Sequence, residues 1–313
     1  MSKEKAVPPF ELEHVAQALT ATFIQRRDLY ARQQADGRYF CVRRPLLSRH
    51  MAAHLRGEIT LGAYVLDRFS RARYLVLDAD SALEWGALLE MAADLDDQDI
   101  PVYLETSRRG GHLWLFFPRS VAGRDARQFG QGLLATYSLP KLELFPKQDR
   151  LREGPGSLIR IPFGIHQRTG QRYRFIDLHE RSLGGSWLAQ IQMLCAPQTV
   201  PEPAFHHFQG LAPKRGQKPV LRSPALSEAP LSQRLKAHIS VLDFVSQYVE
   251  LAPNGRGLCP FHDDHHASFG VNVEQNYWHC FAGCGGGSVI DFWMKWQACD
   301  FKTAVKELAR KLL

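Results

Sequence analysis

The sequence has no run of about 18 apolar residues, the length that a membrane-spanning helix needs. Its start, MSKEKAVPPF, lacks the apolar stretch of a secretory signal peptide. It also lacks the G-x-x-x-x-G-K-[ST] motif of P-loop nucleotide binding and the H-E-x-x-H motif of zinc peptidases. These absences predict a cytoplasmic protein with no membrane partner, whose chemistry must rest on other motifs.

Cysteine is scarce in the chain. Only six cysteines occur among 313 residues, and three of them, Cys259, Cys280 and Cys284, lie near the C-terminus with histidines between them. Small secreted proteins held by disulfides carry a denser framework of cysteines. A local cluster of cysteine and histidine is instead typical of a metal site in a reducing compartment. The cysteine pattern therefore agrees with a cytoplasmic location.

The rest of the composition is ordinary for a globular protein, with 45% hydrophobic and 23% charged residues and enough length for two domains. The formal net charge is +7 and the pI is about 9.1. This excess of positive charge favours a polyanionic partner such as nucleic acid. Charge alone is better explained by a mildly basic soluble protein, so a partner has to be inferred from motifs.

Proline marks a change of composition near residue 200. The segment 196–232 contains seven of the chain's 18 prolines, and four lysines and arginines against two acidic residues. Such a stretch is typical of a semi-extended, mildly basic linker. We therefore predict an N-terminal α/β domain over 1–195, a proline-rich linker over 196–232 and a compact domain over 233–313.

The N-terminal domain alternates strand and helix patterns, which predict an α+β fold. A fully apolar run, Leu75 to Leu77, is typical of a strand buried on both faces of a sheet. The β-α-β order that follows predicts a crossover within one shared sheet. The other predicted elements are a helix over 10–35, a helix over 82–97, strands over 101–106 and 112–117, a helix over 121–137 and a strand over 141–145.

Two aspartates end the first strand of this sheet. Asp78 and Asp80 are two residues apart, so their side chains point to the same face of the strand. Two co-facial carboxylates can bridge a pair of Mg²⁺ or Mn²⁺ ions, as in two-metal phosphoryl transfer. A D-x-D pair by itself is more often a strand end with solvated or capping carboxylates, so further features have to decide.

The turn before the third strand offers phosphate-binding chemistry. Ser107, Arg108 and Arg109 are followed by two glycines and His112. Glycines allow phosphate to approach the backbone closely. A tight hairpin with exposed arginines explains the turn about as well, so its weight depends on the aspartates beside it.

A third acid and two basic residues lie further along the chain. Glu143 stands inside an otherwise apolar strand, and we expect it to be buried. A buried acid needs a partner, which a metal ion shared with Asp78 and Asp80 would provide. Arg160 lies at a strand position amid apolar neighbours, and His166 ends the same segment. Most other basic residues here are better explained as solvated surface.

The C-terminal domain contains two close pairs of metal-binding residue types. Cys259 and His262 form the first pair, Cys280 and Cys284 the second, and 17 residues separate the pairs. Glycine and proline beside each pair predict the turns of a tetrahedral zinc site, with a β-hairpin between them. Four unrelated core residues would rarely show this spacing. The lower-ranked candidates are His265, His266 and His279, and Cys299 is interpreted as a packed thiol.

Residues 239–312 resemble the zinc-binding domain of bacterial replicative DNA primases. The resemblance rests on ISVLDFVSQYVEL, GRGLCPFHDDHHASFGVNVEQNYWHCF and SVIDFWMKW. It implies a zinc-ribbon-like domain in which Cys259, His262, Cys280 and Cys284 hold a structural Zn²⁺. Three residues separate the last two cysteines, where the family usually has two. In that family the domain lies at the N-terminus and helps to recognise single-stranded template, whereas here it lies C-terminal to the other domain.

Residues from about 50 to 180 resemble the archaeo-eukaryotic primase superfamily, in its primase-polymerase branch. The matching segments are YLVLDAD, LETSRRGGHLWLFF, LELFPKQ and GSLIRIPFGIHQRTG. The resemblance implies two α/β modules with an RRM-like sheet. It also implies Asp78, Asp80 and Glu143 as catalytic residues that bind the metal ions.

The same resemblance implies a nucleotide-binding set. His112 would contact the triphosphate of the incoming nucleotide, with Ser107 and the neighbouring arginines close by. Gly110 stands where the family usually has a serine, two residues before the histidine. The full predicted set is Ser107, Arg108, Arg109, His112, Arg160 and His166.

The sequence as a whole predicts a primase-polymerase, a template-dependent nucleotidyltransferase that makes or extends primers on single-stranded DNA. The predicted cofactors are Mg²⁺ or Mn²⁺ for catalysis and Zn²⁺ for structure. The predicted partners are single-stranded DNA template, nucleoside triphosphates, and a helicase or another replication or defence protein. Two alternatives stay open: a catalytically silent, nucleic-acid-binding relative in a mobile-element or defence complex, and a metal-dependent nuclease that uses the same acids.

Overall fold

In the computed structural model the chain forms two compact units, Met1–Leu221 and Arg222–Leu313. Among the helices described, none is both long and apolar enough to cross a membrane. The structure describes residues 9–139, 141–178, 180–213 and 230–312.

The first unit mixes helices with short strands, which confirms the predicted α+β class. Its helices are α1 (Pro9–Phe23), α2 (Ser48–Arg56), α3 (Ala82–Asp97), α4 (Gly123–Thr136), α5 (Trp187–Cys195) and α6 (Glu202–Gly210). Its strands are β1 (Tyr30–Gln33), β2 (Tyr39–Val42), β3 (Leu61–Tyr64), β4 (Arg71–Ala79), β5 (Tyr103–Thr106), β6 (Gly111–Ala122), β7 (Glu143–Phe145), β8 (Leu158–Arg160), β9 (Ile165–His166), β10 (Gln171–Arg172) and β11 (Phe175–Ile176).

A five-stranded antiparallel sheet, in the order β11-β5-β6-β4-β7, forms the centre of the first unit. β4 and β5 both pair antiparallel with β6, so they run parallel to each other and are joined through α3. Leu75 and Leu77 pack with α3 and α4 on one face, while Tyr74 and Val76 enter an apolar cluster on the other. The strand is therefore buried on both faces, as its apolar run predicts, and the sheet is RRM-like.

A second sheet of four strands, ordered β2-β1-β3-β8, shares the apolar cluster on that other face. Leu61, Ala63 and Ile159 of this sheet join Tyr74 and Trp114 of the central sheet in one cluster. The two sheets are thus held together by side chains. Several of their strands end at one cavity, which brings residues from distant parts of the sequence together.

The helix predicted over 10–35 is too long. α1 ends at Phe23, and Tyr30–Gln33 forms β1, which pairs with both β2 and β3. A turn in which Arg26 forms an ion pair with Asp28 separates the two elements. Pairing on both sides buries alternate residues of β1, and this tertiary contact overrides the local helical pattern.

The linker predicted over 196–232 is wrong at its N-terminal end. Glu202–Gly210 forms α6, and Phe208 is buried in the apolar cluster that contains α3 and α4. Gly132 of α4 permits this approach, since a Cβ there would lie 1.7 Å from the carbonyl oxygen of Phe208. Residues 214–229 of the predicted linker lie outside the described residues. The remaining domain limits stay predictions.

The second unit is a small antiparallel sheet with helices around it. Its sheet has the order β12-β13-β14-β15, and β13 and β14 form the predicted hairpin. The helices are α7 (Leu231–His238), α8 (Val241–Val245), α9 (Val289–Gln297) and α10 (Phe301–Leu312). The strands are β12 (Arg256–Gly257), β13 (Phe269–Asn272), β14 (Tyr277–Cys280) and β15 (Gly285–Gly287).

Aromatic side chains form the core of the second unit. The rings of Phe269 and Trp278 stack with centroids 5.3 Å apart, and Phe292 of α9 meets Trp278 edge-on. Asn276 ties the hairpin turn to the helices, because its amide donates to the carbonyl of Ile239 and accepts from the N–H of Val241. The architecture is the predicted zinc-ribbon-like one.

Candidate nucleotide and metal sites

A cavity of about 320 Å³ opens in the first unit where strands of the two sheets end. Asp78 comes from β4, His112 from β6, Arg160 from β8 and His166 from β9, while Tyr39 of β2 forms another part of the wall. Eight of the nine residues predicted for the catalytic and nucleotide sites line it: Asp78, Asp80, Ser107, Arg108, Arg109, His112, Arg160 and His166.

The register of the central sheet sets the surroundings of Asp78. Its partner on β6 is His112, and its partner on β7 is Glu143. Oδ1 of Asp78 lies 3.5 Å from Nε2 of His112. Burial raises the pKa of Asp78, the charges of Asp80 and Glu143 raise it further, and His112 opposes them. Carboxylates that crowd one another in this way are the oxygen donors that Mg²⁺ and Mn²⁺ prefer, so the donor set fits a divalent cation.

Asp80 lies just after β4 and is half-exposed. Its carboxylate forms an ion pair with the guanidinium of Arg109, at 2.6 Å. Its backbone N–H donates to the carboxylate of Glu84 in the first turn of α3. The loop that carries Asp80 is thereby held at the start of α3, with its carboxylate on the cavity.

Glu143 is exposed, which corrects the expectation of a buried acid. Its side chain is 51% exposed and forms an ion pair with Lys147 at 2.9 Å. β7 is the edge strand of the sheet and pairs only with β4, so its end stays open to solvent. Glu143 does not line the cavity, although it shares a strand face with Phe145, which does. Its role as a third metal ligand stays a prediction.

The glycine turn comes close to the backbone of the two aspartates. A Cβ at Gly110 would lie 2.4 Å from the carbonyl oxygen of Ala79, between Asp78 and Asp80. A side chain therefore has no room at the position where the resembling family usually has serine. The backbone N–H of Gly110 instead donates to Oγ of Ser107, which closes the turn.

Glu105 is a functional candidate that the sequence reasoning missed. It lies on β5 with its side chain 0% exposed, and no other acid among the described residues is buried as deeply. Its Oε1 accepts from Nη2 of Arg160 at 2.6 Å, and its Oε2 accepts from Nδ1 of His112 at 2.8 Å and from Nε1 of Trp114 at 3.1 Å. Burial opposes ionisation, but Arg160 and His112 outweigh it and lower the pKa of Glu105. The available signal was an acid within the apolar strand VYLET, the same signal that drew attention to Glu143.

Two polar groups on the cavity wall have no hydrogen-bond partner among the described residues. They are Nη1 of Arg160 and the hydroxyl of Tyr39, and both atoms are buried. The guanidinium of Arg160 also lies 5.1 Å from the ring centre of Tyr173. Because buried polar groups are nearly always paired, two unpaired ones beside a single cavity point to a water or a ligand atom that pairs with them.

Basic residues also line the cavity. Burial lowers the pKa of His166, and the nearby charges of Arg160, Arg108 and Arg168 lower it further. The ring of His166 is held by a 3.3 Å contact between its Nδ1 and Oγ1 of Thr169. The cavity thus combines an acidic set of residues, suited to cations, with a basic set, suited to an oxyanion.

In the second unit the predicted zinc ligands form one cluster. The ligand atoms of Cys259, His262, Cys280 and Cys284 all lie within 4.8 Å of one another. Nδ1 of His262 is 3.1 Å from Sγ of Cys284. Three sulfurs and one imidazole nitrogen are the donor set that tetrahedral zinc prefers, so the residues fit this metal.

The thiols of this cluster differ in acidity. Burial and the neighbouring thiol of Cys280 raise the pKa of Cys259 to about 12, although the N–H of Phe261 opposes them. Burial also acts against ionisation of Cys280, but donors from the backbone of Cys284 and Ala282 and from Ser268 lower its pKa to about 6. A bound divalent cation would stabilise all three thiolates together.

Asp264 supports the cluster and was not singled out from the sequence. Its carboxylate accepts from the backbone N–H of Cys259 and from both the N–H and the hydroxyl of Ser268. Its Oδ1 also lies 3.6 Å from Nε2 of His262. A carboxylate that orients a ligating histidine is common around zinc. The signal was the acid two residues after the histidine in CPFHDD.

Two family models match the chain. Residues 15–199, more than half of the chain, match the model described as TOTE conflict system, archaeo-eukaryotic primase domain. Residues 228–313 match the model described as CHC2 zinc finger. The first match contains the cavity and the second contains the cysteine and histidine cluster.

Similar proteins are named as primases. The chain is 46% identical over 79 residues to the DNA primase of Lactococcus lactis subsp. lactis. This match covers 24% of this chain and 12% of that protein. It is 41% identical over 81 residues to the DNA primase of Staphylococcus aureus. This match covers 25% of this chain and 14% of that protein. The chain therefore spans only about an eighth of the length of these relatives.

Two solved structures are also similar to parts of the chain. The zinc-binding and RNA polymerase domains of the Aquifex aeolicus primase match with a TM-score of 0.25 and 33% identity, over 26% of this chain and 21% of that one. The archaeo-eukaryotic primase domain of the cyanophage S-2L primase-polymerase matches with a TM-score of 0.33 and 15% identity, over 60% of this chain and 98% of that one. At these TM-scores neither likeness carries weight for function.

Proposed function

The chain belongs to the archaeo-eukaryotic primase domain family of TOTE conflict systems, and on that premise we propose that it is a primase-polymerase. It would carry out template-dependent nucleotidyl transfer and make or extend primers on single-stranded DNA. The single observation that carries this proposal is the cavity, whose lining combines two aspartates with three arginines and two histidines. Carboxylates and basic groups that line one cavity suit the metal-bound triphosphate of a nucleotide.

The acidic set of residues would hold the catalytic ions. Asp78 and Asp80 are the proposed ligands on the cavity, and Glu143 is the proposed third ligand, from the strand paired with Asp78. When bound, Mg²⁺ or Mn²⁺ would activate the attacking 3′-hydroxyl and stabilise the leaving pyrophosphate. Arg109 and Lys147 now neutralise Asp80 and Glu143, so both carboxylates would exchange an internal cation for the metal ion.

The basic set of residues would hold the triphosphate. Arg160 and Tyr39 both line the cavity, and Nη1 of Arg160 and the hydroxyl of Tyr39 are buried without a hydrogen-bond partner among the described residues. A small movement of either side chain would offer a donor to the phosphates. His112 would present Nε2, because its Nδ1 is engaged by Glu105. The remaining proposed contacts are Ser107, Arg108, Arg109 and His166.

The second unit would hold single-stranded template beside its zinc site. Cys259, His262, Cys280 and Cys284 would bind a structural Zn²⁺. Next to Cys280, Phe281 is 63% exposed, and the guanidinium of Arg256 lies 4.9 Å from its ring centre. An exposed aromatic ring with a cation beside it suits stacking with an unpaired base. The predicted protein partner, a helicase or another replication or defence protein, belongs to the same proposal.

The test is a synthesis assay with the 313-residue chain, a single-stranded DNA template, Mg²⁺ or Mn²⁺, and labelled ribo- or deoxyribonucleoside triphosphates. We expect polymer, and we expect Asp78→Asn with Asp80→Asn to reduce it by roughly a thousand-fold or more, since metal coordination contributes several kcal/mol to such reactions. Asp96→Asn with Asp97→Asn, two exposed acids at the end of α3, is the matched control and should retain activity.

Other outcomes would contradict the proposal. If no polymer forms with either type of nucleotide while the chain still binds the template, a silent binding protein is the better explanation. Shortening of an end-labelled template that depends on Asp78 and Asp80 would instead identify a metal-dependent nuclease.

A further inference from the structure

Glu105 is the buried acid that the proposed reaction leaves without a role. It does not line the cavity, yet its carboxylate contacts two residues that do, His112 and Arg160. These two residues lie on different strands, β6 and β8, which belong to different sheets. A single carboxylate thus joins the two sheets at the wall of the cavity.

We infer that Glu105 is a positioning residue that holds Arg160 and His112 in the orientation needed to receive the phosphates of an incoming nucleotide. This inference rests on the proposed function and deepens it, because it explains how the basic set of residues in the cavity is preformed before a ligand arrives.

The contacts of Arg160 show what Glu105 does to the guanidinium. Nη2 is fixed to Oε1 of Glu105 at 2.6 Å, and the guanidinium lies near the ring of Tyr173. With one nitrogen fixed, the planar guanidinium has little freedom left. Nη1 is buried and has no hydrogen-bond partner among the described residues. It is therefore left as a donor for an oxyanion that reaches this wall of the cavity, and such an oxyanion would not have to order the side chain.

Glu105 also fixes the orientation of the His112 imidazole. An ionised carboxylate can only accept hydrogen bonds, so Nδ1 of His112, 2.8 Å from Oε2, must carry the hydrogen. Nε2 is then directed toward Asp78, 3.5 Å away on the cavity. Fixing the far nitrogen of a histidine is a common way to orient the nitrogen that acts.

A glutamine at position 105 could not accept hydrogen bonds from all three residues that donate to Glu105. Arg160, His112 and Trp114 donate to the two carboxylate oxygens. Glutamine offers one oxygen and one NH₂ group, so the NH₂ group would face a donor in either orientation. Glu105→Gln should therefore release Arg160 or release His112, with almost no change in side-chain volume.

The first measurement is binding of inorganic tripolyphosphate to the 313-residue chain by calorimetry, without divalent ions. We expect Glu105→Gln to weaken this binding about 10-fold or more, the lower end of the loss seen when the partner that orients a metal-binding histidine is removed. In the synthesis assay the KM for the nucleoside triphosphate should rise by a similar factor. Glu90→Gln makes the same change at another buried glutamate, on α3, and should leave both values unchanged.

A comparison of combined variants separates positioning from general stability. If Glu105 acts through Arg160 and His112, then Glu105→Gln added to a chain that already carries Arg160→Gln and His112→Gln should weaken tripolyphosphate binding little further. Independent losses that multiply would contradict the inference. So would a Glu105→Gln variant that melts at a lower temperature but binds tripolyphosphate and nucleotide like the wild type.

Glu105→Asp covers the case in which the glutamine variant does not fold. It keeps the charge but withdraws the carboxylate by one methylene group, so we expect weaker binding of tripolyphosphate, and wild-type binding would overturn the inference. Failure of the two proposals can be told apart. Binding that depends on Glu105 in a chain that makes no polymer would overturn only the primase-polymerase activity. Polymer synthesis and tripolyphosphate binding that are indifferent to Glu105 would overturn only the positioning role.

Discussion

The two candidate sites differ in how their buried polar groups are paired. In the first unit the carboxylate of Glu105 is matched by donors from Arg160, His112 and Trp114, all supplied by the protein. In the second unit the groups that face one another are the thiols of three cysteines and the imidazole of His262. The carboxylate of Glu105 already receives hydrogen bonds from the protein. Three thiolates held close together repel one another, so they need a cation.

This difference indicates which part of the molecule depends on a metal ion for its fold. The first unit has large apolar clusters on both faces of its central sheet. The second unit has one smaller cluster, and Cys259 and Cys280 belong to it. Zinc should therefore be part of the fold of the second unit, while divalent ions should be needed only for the chemistry of the first.

The largest expected effect is loss of the second unit when zinc is removed. We expect chelation, or Cys280→Ser, to abolish its cooperative unfolding, because structural zinc contributes about 10 kcal/mol or more to small domains of this kind. The transition of the first unit should not change. Differential scanning calorimetry of the whole chain measures both transitions, with Cys299→Ser as the control thiol outside the cluster. Simultaneous loss of both unfolding transitions would contradict the conclusion that only the second unit needs zinc for its fold.

An intermediate effect concerns pH and a histidine that is buried without metal. Nε2 of His54 donates to the carbonyl of Pro162, and its Nδ1 accepts from the N–H of Leu61. Burial lowers the pKa of His54 to about 4, with help from the charges of Arg160 and Arg172. Its ordinary value is about 6.5, so between these values the unfolded chain binds a proton that the folded chain does not.

The first unit should therefore lose stability as the pH falls through this window. Between about pH 7.5 and pH 5 we expect His54 to account for a loss of about 2 kcal/mol in the free energy of unfolding. Urea unfolding at the two pH values measures it, and His54→Gln should remove that part of the dependence. An equal pH dependence in the variant and the wild type would show that His54 is not the group responsible.

The smallest expected effect concerns a buried polar group of the first unit that has no hydrogen-bond partner among the described residues. The buried hydroxyl of Tyr39 has no partner among the described residues. We expect Tyr39→Phe to raise the free energy of unfolding by about 1 kcal/mol, the cost of an unpaired buried hydroxyl. It should also weaken nucleotide binding several-fold, since a ligand hydrogen bond contributes about 1 kcal/mol.

The matched control for Tyr39→Phe is Tyr103→Phe. The hydroxyl of Tyr103 accepts from the backbone N–H of Gln198, so its removal should lower stability and leave nucleotide affinity unchanged. Chemical denaturation and nucleotide titration of both variants give the two readouts. If Tyr39→Phe is less stable than the wild type, its hydroxyl has a partner in solution.

Local patterns predicted the elements that carry the site. The apolar run of β4 and the two-residue spacing of Asp78 and Asp80 depend only on strand geometry, and both aspartates line the cavity. The predicted zinc ligands likewise come from close pairs on turns, and their ligand atoms lie within 4.8 Å of one another. In each case neighbouring residues carry the information.

Strand order was the missing information for the acids. Glu105 and Glu143 look alike in the sequence, each an acid within a short apolar strand. β5 lies inside the sheet, between β11 and β6, whereas β7 lies at its edge. One acid is consequently buried and the other half-exposed. Sheet order depends on pairing between distant segments, which a single sequence does not reveal.

Proline chemistry explains the error in the linker. Pro203 is the second residue of α6, and Pro201 precedes the helix. Proline is favoured at a helix start because its missing N–H would have no partner there. The same residues are typical of extended linkers, so composition alone did not separate the two structures.

The position of α6 decides where the chain can be cut. Phe205 of α6 stacks on Phe129 at 5.2 Å and meets Phe117 edge-on at 5.3 Å. A fragment that stops at Cys195 would lack Phe205 and expose the rings of Phe117 and Phe129, and it would be expected to aggregate during purification. A fragment that continues through α6 keeps them covered. Anyone who wants the nucleotide-binding half in isolation for crystallisation or ligand screening should therefore retain the residues up to 213.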